Sequence, residues 1–453
     1  MDILQNFLDK RAIEARLRAG GIASAALDQV AKLFQDVART MCGAGLSADS
    51  KVIACWVPGR IEVLGKHTDY AGGSSLLTAS ERGFAVLVCP GQTNDITMLD
   101  AGRGVACTFN PQGDVAGELP PWALYPQTVI KRIRANFDMP AKGGVIGFSS
   151  NVPRAAGMSS SSALIIVTFL GLSCFGPLEK HPGYLKAIKT ETNLADYLGH
   201  IENGKSYKQL IGDGGVGTLG GSQDHTAIVC AKPRHILHAA FQPTRVINHV
   251  PLPEDLVFCV GVSGVRAKKT GAAKAAYNAA STRVTNILSW WNGRFSHHAN
   301  SLADIVADES FDSEVVLSEL GAQEEGLLDR FVQFVRETTQ HIPGAVEALQ
   351  HGDQLSLGVH VRGSLADAVK RLGNQVPETI ALAGLARPNG AVAASAFGAG
   401  YGGSVWALVD KAQAAVFLDK WEAAYRQQYP AQDEASFFID ETGPAAFKLS
   451  SVA

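Results

Sequence analysis

No apolar run in these 453 residues approaches the length of a membrane span, which takes about 20 residues. Cysteine is scarce. The seven thiols (Cys42, Cys55, Cys89, Cys107, Cys174, Cys230 and Cys259) are scattered, odd in number and mostly in apolar surroundings. That excludes a disulfide frame or a zinc site and fits reduced core thiols. Charge of either sign is modest, with 18% charged residues and a mixed net charge of -3, which gives no support for a nucleic-acid or anionic-membrane partner. The opening MDILQNFLDKR carries acids among its apolar residues and lacks the basic and apolar blocks of a secretion signal. The expected compartment is the cytosol. No internal repeat is present.

What the chain has is an ordinary globular composition, 46% apolar, and length enough for two or three domains. Residues 3–41 have an amphipathic helical pattern broken at Gly20-Gly21. From Lys51 the texture changes to short β-like runs, VIACWV, IEVLG and GFAVLVCP. A helix with a basic face is expected over 121–137, a strand at GGVIGFSS, helix again over 183–203, and a strand at TAIVC, 226–230. A strand LVFCVGVS and the helix AAKAAYNAASTRVTNILSWW follow, then helices to about Gly373. A late strand pair, GAVAASAF and SVWALV, flanks a glycine turn. Mixed elements without regular βαβ alternation point to an α+β fold. The proline-bearing stretch 243–253 is the expected domain boundary. This gives a helical extension over 1–50, one domain over 51–245 and a second over 246–453.

Two motifs invite a wrong answer. GHIENGKS, from Gly199, satisfies the written P-loop pattern, but a polar helical segment precedes it where a buried strand is required. GAGYGG, from Gly398, satisfies the dinucleotide fingerprint, but the strand-like SVWALVD follows where a helix should.

Three other segments carry the chemistry. In NVPRAAGMSSSSAL, Asn151 to Leu164, small residues lead into a buried apolar run. That is the pattern of a helix N-terminus approached closely by an anion. PGRIEVLGKHTDYAGG, from Pro58, sets Arg60, Lys66, His67 and Asp69 around a Gly65 turn, and alone it reads equally well as a polar hairpin with surface charge. FGAGYGG alone reads as a tight β-turn.

In this order the three resemble the GHMP kinase superfamily: a substrate motif, a central P-x3-G-L-x-S-S-A phosphate loop, and a C-terminal glycine loop. Here Met158 replaces the loop's Leu, and Ser162 stands where a second Ala is common. The nearest likeness is to galactokinases, whose motif G-R-x-N-x-I-G-E-H-T-D-Y-x-x-G is similar to GRIEVLGKHTDYAGG. The resemblance spans roughly residues 51–448. It implies an α+β two-domain GHMP kinase fold, with a ribosomal protein S5 domain 2-like N-terminal domain and a ferredoxin-like C-terminal domain.

The resemblance also implies roles. Asp224, in GGSQDHTAIV, takes the place of the catalytic base, with Arg60 beside it. Lys66, His67, Asp69 and Tyr277 would line the sugar site. Trp122, in PWALYPQTVIK, and the loop Ala155, Ala156, Gly157, Met158, Ser159, Ser160 and Ser161 would hold ATP. Ser161 and Glu202 would hold Mg²⁺. Glu202 precedes the base as the magnesium glutamate does in galactokinases, although over a longer spacer, and a solvated helix-end glutamate is the competing reading. His225 is read as a neighbour.

The chemistry asks for the same parts. Phosphoryl transfer needs the triphosphate held, its charge neutralised and the acceptor hydroxyl aligned. Backbone N–H groups at a helix start supply the holding. A carboxylate kept ionised by an arginine accepts the hydroxyl proton, and a hard cation wants an oxygen donor set. The expected activity is therefore ATP-dependent phosphorylation of the anomeric C1 hydroxyl of galactose or a related sugar by a monomer. Lys66 stands where the motif has Glu, and lysine only donates. This leaves a uronic-acid 1-kinase as one alternative. A non-catalytic galactokinase-like regulator that binds sugar and ATP is the other, although Asp224, Arg60 and the full serine run are all present. Homoserine and mevalonate-type kinases would lack the HTDY motif.

Overall fold

The computed structural model describes residues 2–138, 142–267, 271–309, 311–323 and 325–450. Its strands are β1 (Asp2–Ile3), β2 (Lys51–Leu64), β3 (Ser74–Pro90), β4 (Ile96–Asp100), β5 (Val105–Phe109), β6 (Gly144–Ser150), β7 (His235–Ala240), β8 (Arg245–Pro251), β9 (Leu256–Val262), β10 (Ala393–Ala396), β11 (Ser404–Asp410), β12 (Ser436–Asp440), β13 (Thr442–Gly443) and β14 (Phe447–Lys448). The helices that matter below are α1 (Lys10–Ala19), α2 (Leu27–Gly43), α3 (Leu124–Phe137), α4 (Ser160–Phe175), α5 (Pro182–Ala187), α6 (Glu191–Asn203), α7 (Gln223–Cys230) and α8 (Gly271–Arg294).

A ten-stranded sheet follows the order β1-β2-β3-β6-β4-β5, with β7, β8, β13 and β14 added at its sides. A second sheet, β10-β11-β9-β12, is antiparallel throughout. The runs VIACWV and IEVLG are one strand, β2, whose register against β3 shifts between Pro58 and Arg60 and again between Glu62 and Leu64. Such irregularities re-aim side chains, and here they fall on Arg60 and Glu62. VIACWV reads as unbroken apolar sequence because both faces of the strand are covered. Val52, Ala54 and Trp56 pack with Val30, Phe34 and Val37 of α2, whereas Cys55 and Val57 pack on the α4 side. The first fifty residues are therefore one layer of the sheet sandwich.

Two expectations are corrected. TAIVC is the body of helix α7 and not a strand. Ala227 and Cys230 are buried in one apolar cluster and Ile228 in another. The helix thus lacks the polar face whose period would have revealed it, and a short apolar run cannot be told from a strand by periodicity alone. The boundary at 245/246 would cut the β7–β8 hairpin, both strands of which lie in the first sheet. The change of sheet comes between Pro251 and Leu256. The chain also returns at its end, where β13 pairs with β3 and β14 with β2.

The two declined motifs are explained. GHIENGKS is the C-terminal end of α6, capped by Gly204 in the left-handed region. GAGYGG is the turn between the antiparallel strands β10 and β11. Among the described residues no helix is long and apolar enough to cross a membrane.

Candidate active site

Arg60 projects from the irregular part of β2, and its Nε donates to Asp224 Oδ1 at 2.8 Å. Its Nη1 donates to the carbonyl of Gly157, so one side chain ties the candidate base to the phosphate loop. Burial opposes the Arg60 charge, but Asp224 and Glu62 alongside more than offset it and hold the guanidinium above its ordinary range. Asp224 lies in the first turn of α7, where the N-terminal dipole favours a negative charge. Ser162, in the first turns of α4, donates to Glu202 Oε2 at 2.8 Å and reaches Asp224 Oδ2 at 3.4 Å. His225 Nε2 is 3.3 Å from the same Glu202 oxygen. Glu202 is buried, so the solvated helix-end reading fails. The hydroxyl that meets Glu202 belongs to Ser162, one residue beyond the expected Ser161.

Two cavities meet at this pair, and both are lined by Arg60, Asp224, Tyr277 and Ala399. The larger is lined by Trp122, Tyr125, Ala155, Gly157, Ser159, Ser160 and Ser161, with Arg103 and Arg154 also facing it. Trp122 stands edge-on to Phe148, ring centroids 5.9 Å apart. Gly157 (φ 78°) and Ser159 (φ 59°) are left-handed. Ser159 sits before α4 without making a side-chain cap bond, and its Oγ is buried with no partner among the described residues. The first N–H groups of α4 are thus left without a side-chain cap, as an anion site requires. Ala156 and Met158 are exceptions among the expected loop residues, since both are buried away from the cavity lining. Met158 contributes its carbonyl, which accepts from the Arg60 N–H at 3.3 Å.

The smaller cavity is lined by His67, Asp69, Glu62, Glu202, Gln223, His225 and the Gly220-Gly221 turn, among others. His67 Nδ1 and the Tyr70 hydroxyl are 2.6 Å apart, and the His67 ring lies 5.1 Å from that of Tyr277. Asp69 Oδ2 accepts from the Gln223 N–H at 3.2 Å. Burial raises the Asp69 carboxyl, with that N–H acting against it. Burial likewise pushes the Tyr277 hydroxyl well up, so it stays protonated. Lys268–Thr270, in the segment that precedes Tyr277, lie outside the described residues.

Lys66 departs from expectation. It is fully buried, lines neither cavity, and its Nζ donates to Ser364 Oγ at 3.4 Å. Ser364 in turn donates to Glu337 Oε1 at 2.9 Å. The residue missed from sequence is Glu62. It stands at the Asn of the galactokinase motif, two residues after Arg60 on the same face of a strand, and that departure was the signal available. Burial raises its carboxyl to about 7, with Lys66 and Arg60 acting against the rise.

The described residues contain no cluster of three or more His, Cys, Asp or Glu able to hold a metal by themselves. Glu202 with the serine hydroxyls fits the other kind of site, in which one or two carboxylates share a hard cation with phosphate oxygens.

Residues 47–90 match the galactokinase galactose-binding signature, 125–204 the GHMP kinases N-terminal domain and 345–427 the GHMP kinases C-terminal domain. The chain belongs to the GHMP kinases. It is 23% identical over 400 residues to the galactokinase of Halalkalibacterium halodurans, covering 86% of this chain and 90% of that protein. Against the galactokinase of Lacticaseibacillus casei the identity is 25% over 404 residues, 87% and 94% of the two chains. Within its superfamily the chain is a galactokinase-like sugar kinase. Lactococcus lactis galactokinase complexed with galactose shares the fold, with a TM-score of 0.74, 21% identity, and 91% and 99% of the two chains covered. The mevalonate kinase of Methanococcus jannaschii follows at TM-score 0.55 and 15% identity, covering 87% and 98%.

Proposed function

We propose that the chain transfers the terminal phosphoryl group of ATP to the anomeric hydroxyl of galactose or a close epimer. The observation that carries this reading is the Arg60–Asp224 pair, 2.8 Å apart, at the junction of the two cavities. A sugar in the smaller cavity presents its C1 hydroxyl to Asp224, which accepts the proton as the oxygen attacks phosphorus. Arg60 keeps Asp224 ionised and, through the Gly157 carbonyl, keeps base and phosphate loop in register. The N–H groups at the start of α4, with Arg103 and Arg154, hold the phosphates in the larger cavity. Glu202 with the Ser161 and Ser162 hydroxyls would hold Mg²⁺, which would supply charge neutralisation on the transferring group.

The uronic-acid alternative loses its warrant because Lys66, its carboxylate reader, does not face the cavity. Four carboxylates do (Glu62, Asp69, Glu202 and Asp224). The regulator alternative is disfavoured by the intact base pair and serine loop. The test is ADP release with galactose, its epimers and galacturonate, in the wild type and in Asp224→Asn. Galactose-dependent ADP release is expected, falling about 10²–10⁴-fold in Asp224→Asn, with ATP and sugar still bound. Turnover that survives the substitution removes Asp224 as the base.

A further inference from the structure

Of the carboxylates facing the smaller cavity, Glu62 is the one whose bonds do not account for its position. It is buried. Its Oε2 accepts from Gln223 Nε2, and its Oε1 has no hydrogen-bond partner among the described residues although the side chain lines the cavity. Leaving a buried carboxylate oxygen unmatched costs more than a hydrogen bond contributes, so the oxygen calls for a donor that none of the described residues provides. The chain also makes room for it. A Cβ at Gly398 would collide with the Glu62 carboxylate, so the glycine loop closes over this group only because that residue is glycine. Lys66 lies within electrostatic reach of Glu62 and acts to keep it ionised, yet its hydrogen bond goes to Ser364 and it does not line the cavity. The lysine is thus a countercharge outside the cavity lining.

We propose that Glu62 is the specificity-determining residue of the sugar cavity. Its Oε1 accepts a hydrogen bond from one hydroxyl of an uncharged sugar, and Lys66 acts as a positioning residue that keeps Glu62 charged. This rests on the sugar-kinase reading and deepens it. Gln223 makes the arrangement rigid, since its side chain donates to Glu62, accepts from Ser75 Oγ at 3.1 Å, and its N–H binds Asp69. Glu62 and Asp69 are thereby fixed relative to one another as two acceptors. A substrate carboxylate brought to Glu62 would meet like charge in a desolvated site.

Ionisation of Glu62 then controls affinity. The charged groups around it are Arg60 and Lys66, which favour the carboxylate, and Asp224, which opposes it. Asp69, Glu202, His67 and His225 also face the cavity, and Glu337 lies beyond Lys66. A protonated Glu62 presents a weaker acceptor, so sugar affinity should fall as pH drops below about 7.

The experiment is calorimetric titration of galactose and its monodeoxy analogues, without nucleotide, into wild type, Glu62→Gln and Lys66→Met between pH 6 and 8.5. Glu62→Gln should weaken galactose about 10- to 100-fold at pH 8, the loss of one charge-assisted hydrogen bond, and abolish the affinity loss below pH 7. One deoxy analogue should lose as much against wild type and nothing further against Glu62→Gln. Lys66→Met should move the pH dependence upward, since it removes a cation that favours the charged form. Unchanged galactose affinity and pH profile in Glu62→Gln overturn the proposal, as does tighter wild-type binding of galacturonate than of galactose. Should Glu62→Gln not fold, wild type alone decides, because the pH dependence must vanish for one deoxy analogue and persist for the others. Galactose-dependent ADP release with no role for Glu62 defeats this inference alone, whereas absence of sugar binding to wild type defeats it together with the kinase reading.

Discussion

Arg60 is where the two halves of the reaction are joined. One guanidinium edge holds Asp224 and another atom of the same plane holds the Gly157 carbonyl. A lysine would keep the charge but has a single donor centre on a flexible stem and cannot span both partners. Arg60→Lys should therefore lower kcat about 10- to 100-fold while moving the melting temperature little. Combined with Asp224→Asn it should cost less than the sum of the two, because residues that act as a unit are not additive. Steady-state kinetics of the two single variants and the double variant check this, and additive losses would mean that Arg60 works independently of the base.

At the scale of elements, the phosphate loop and the glycine loop are one construction. The Cβ missing from Gly403 would fall 3.0 Å from the Ala156 carbonyl, and the segment after β9 joins both loops, the Ala267 N–H donating to the Ala155 carbonyl and the Gly403 N–H to the Val265 carbonyl, each at 2.8 Å. Gly157 has φ 78°, and a Cβ there would approach Phe397 to 3.3 Å. Gly157→Val combines a left-handed β-branched residue with that crowding, and it displaces backbone that approaches the triphosphate. The expected outcome is a KM for ATP raised at least tenfold with the KM for sugar changed less, read from initial rates with each substrate varied. A change confined to the sugar KM would assign the loop to the acceptor. Helix α7 contributes at this scale too, since it places Asp224 in a first turn and buries its other residues except Val229, which is partly covered.

The whole molecule is tied together by the return of its C-terminus. Asp440 accepts from Ser80 Oγ at 2.6 Å and from the Glu81 N–H at 3.0 Å, while Glu81 Oε1 accepts from the Ala23 N–H at 3.1 Å. The last strands, β3 and the segment between α1 and α2 therefore meet at two carboxyls. Burial, reinforced by Asp440 and Glu441, raises Glu81 to about 7, and burial raises Asp440 to about 6. A carboxyl whose folded pKa exceeds its unfolded value binds its proton more tightly when folded. Its contribution is complete below the unfolded pKa and is lost as pH rises through the folded one. For Glu81 that window runs from 4.5 to about 7. Glu81→Gln, which keeps an acceptor for Ala23, should gain on wild type by about 1–3 kcal/mol between pH 5 and pH 8. Denaturant melts across that range decide it, and parallel stability curves would mean that Glu81 is solvated in solution.

The glycine and serine loops, the HTDY turn and the order in which they occur were legible in the sequence. Their chemistry is that of backbone turns and helix starts, which neighbouring residues determine. Strands β2, β3, β6, β9, β10 and β11 and helices α1, α2, α3, α6 and α8 were legible for the same reason, whereas β4, β5, β7, β8 and β12 were not anticipated, and α7, buried but for Asp224 and Val229, loses its period. Asp224 and Arg60, 164 residues apart, are linked in the sequence only through resemblance to a family. Three matters were left to the tertiary structure: that Lys66 turns away from the cavity, that Ser162 and not Ser161 meets Glu202, and that Glu62 faces the sugar side with an oxygen to spare. Each depends on which distant element packs against a side chain, Ser364 and Glu337 for Lys66, Gln223 and Gly398 for Glu62. A residue type and its local spacing fix what a side chain can donate or accept, but the partner is chosen by chain segments hundreds of residues away.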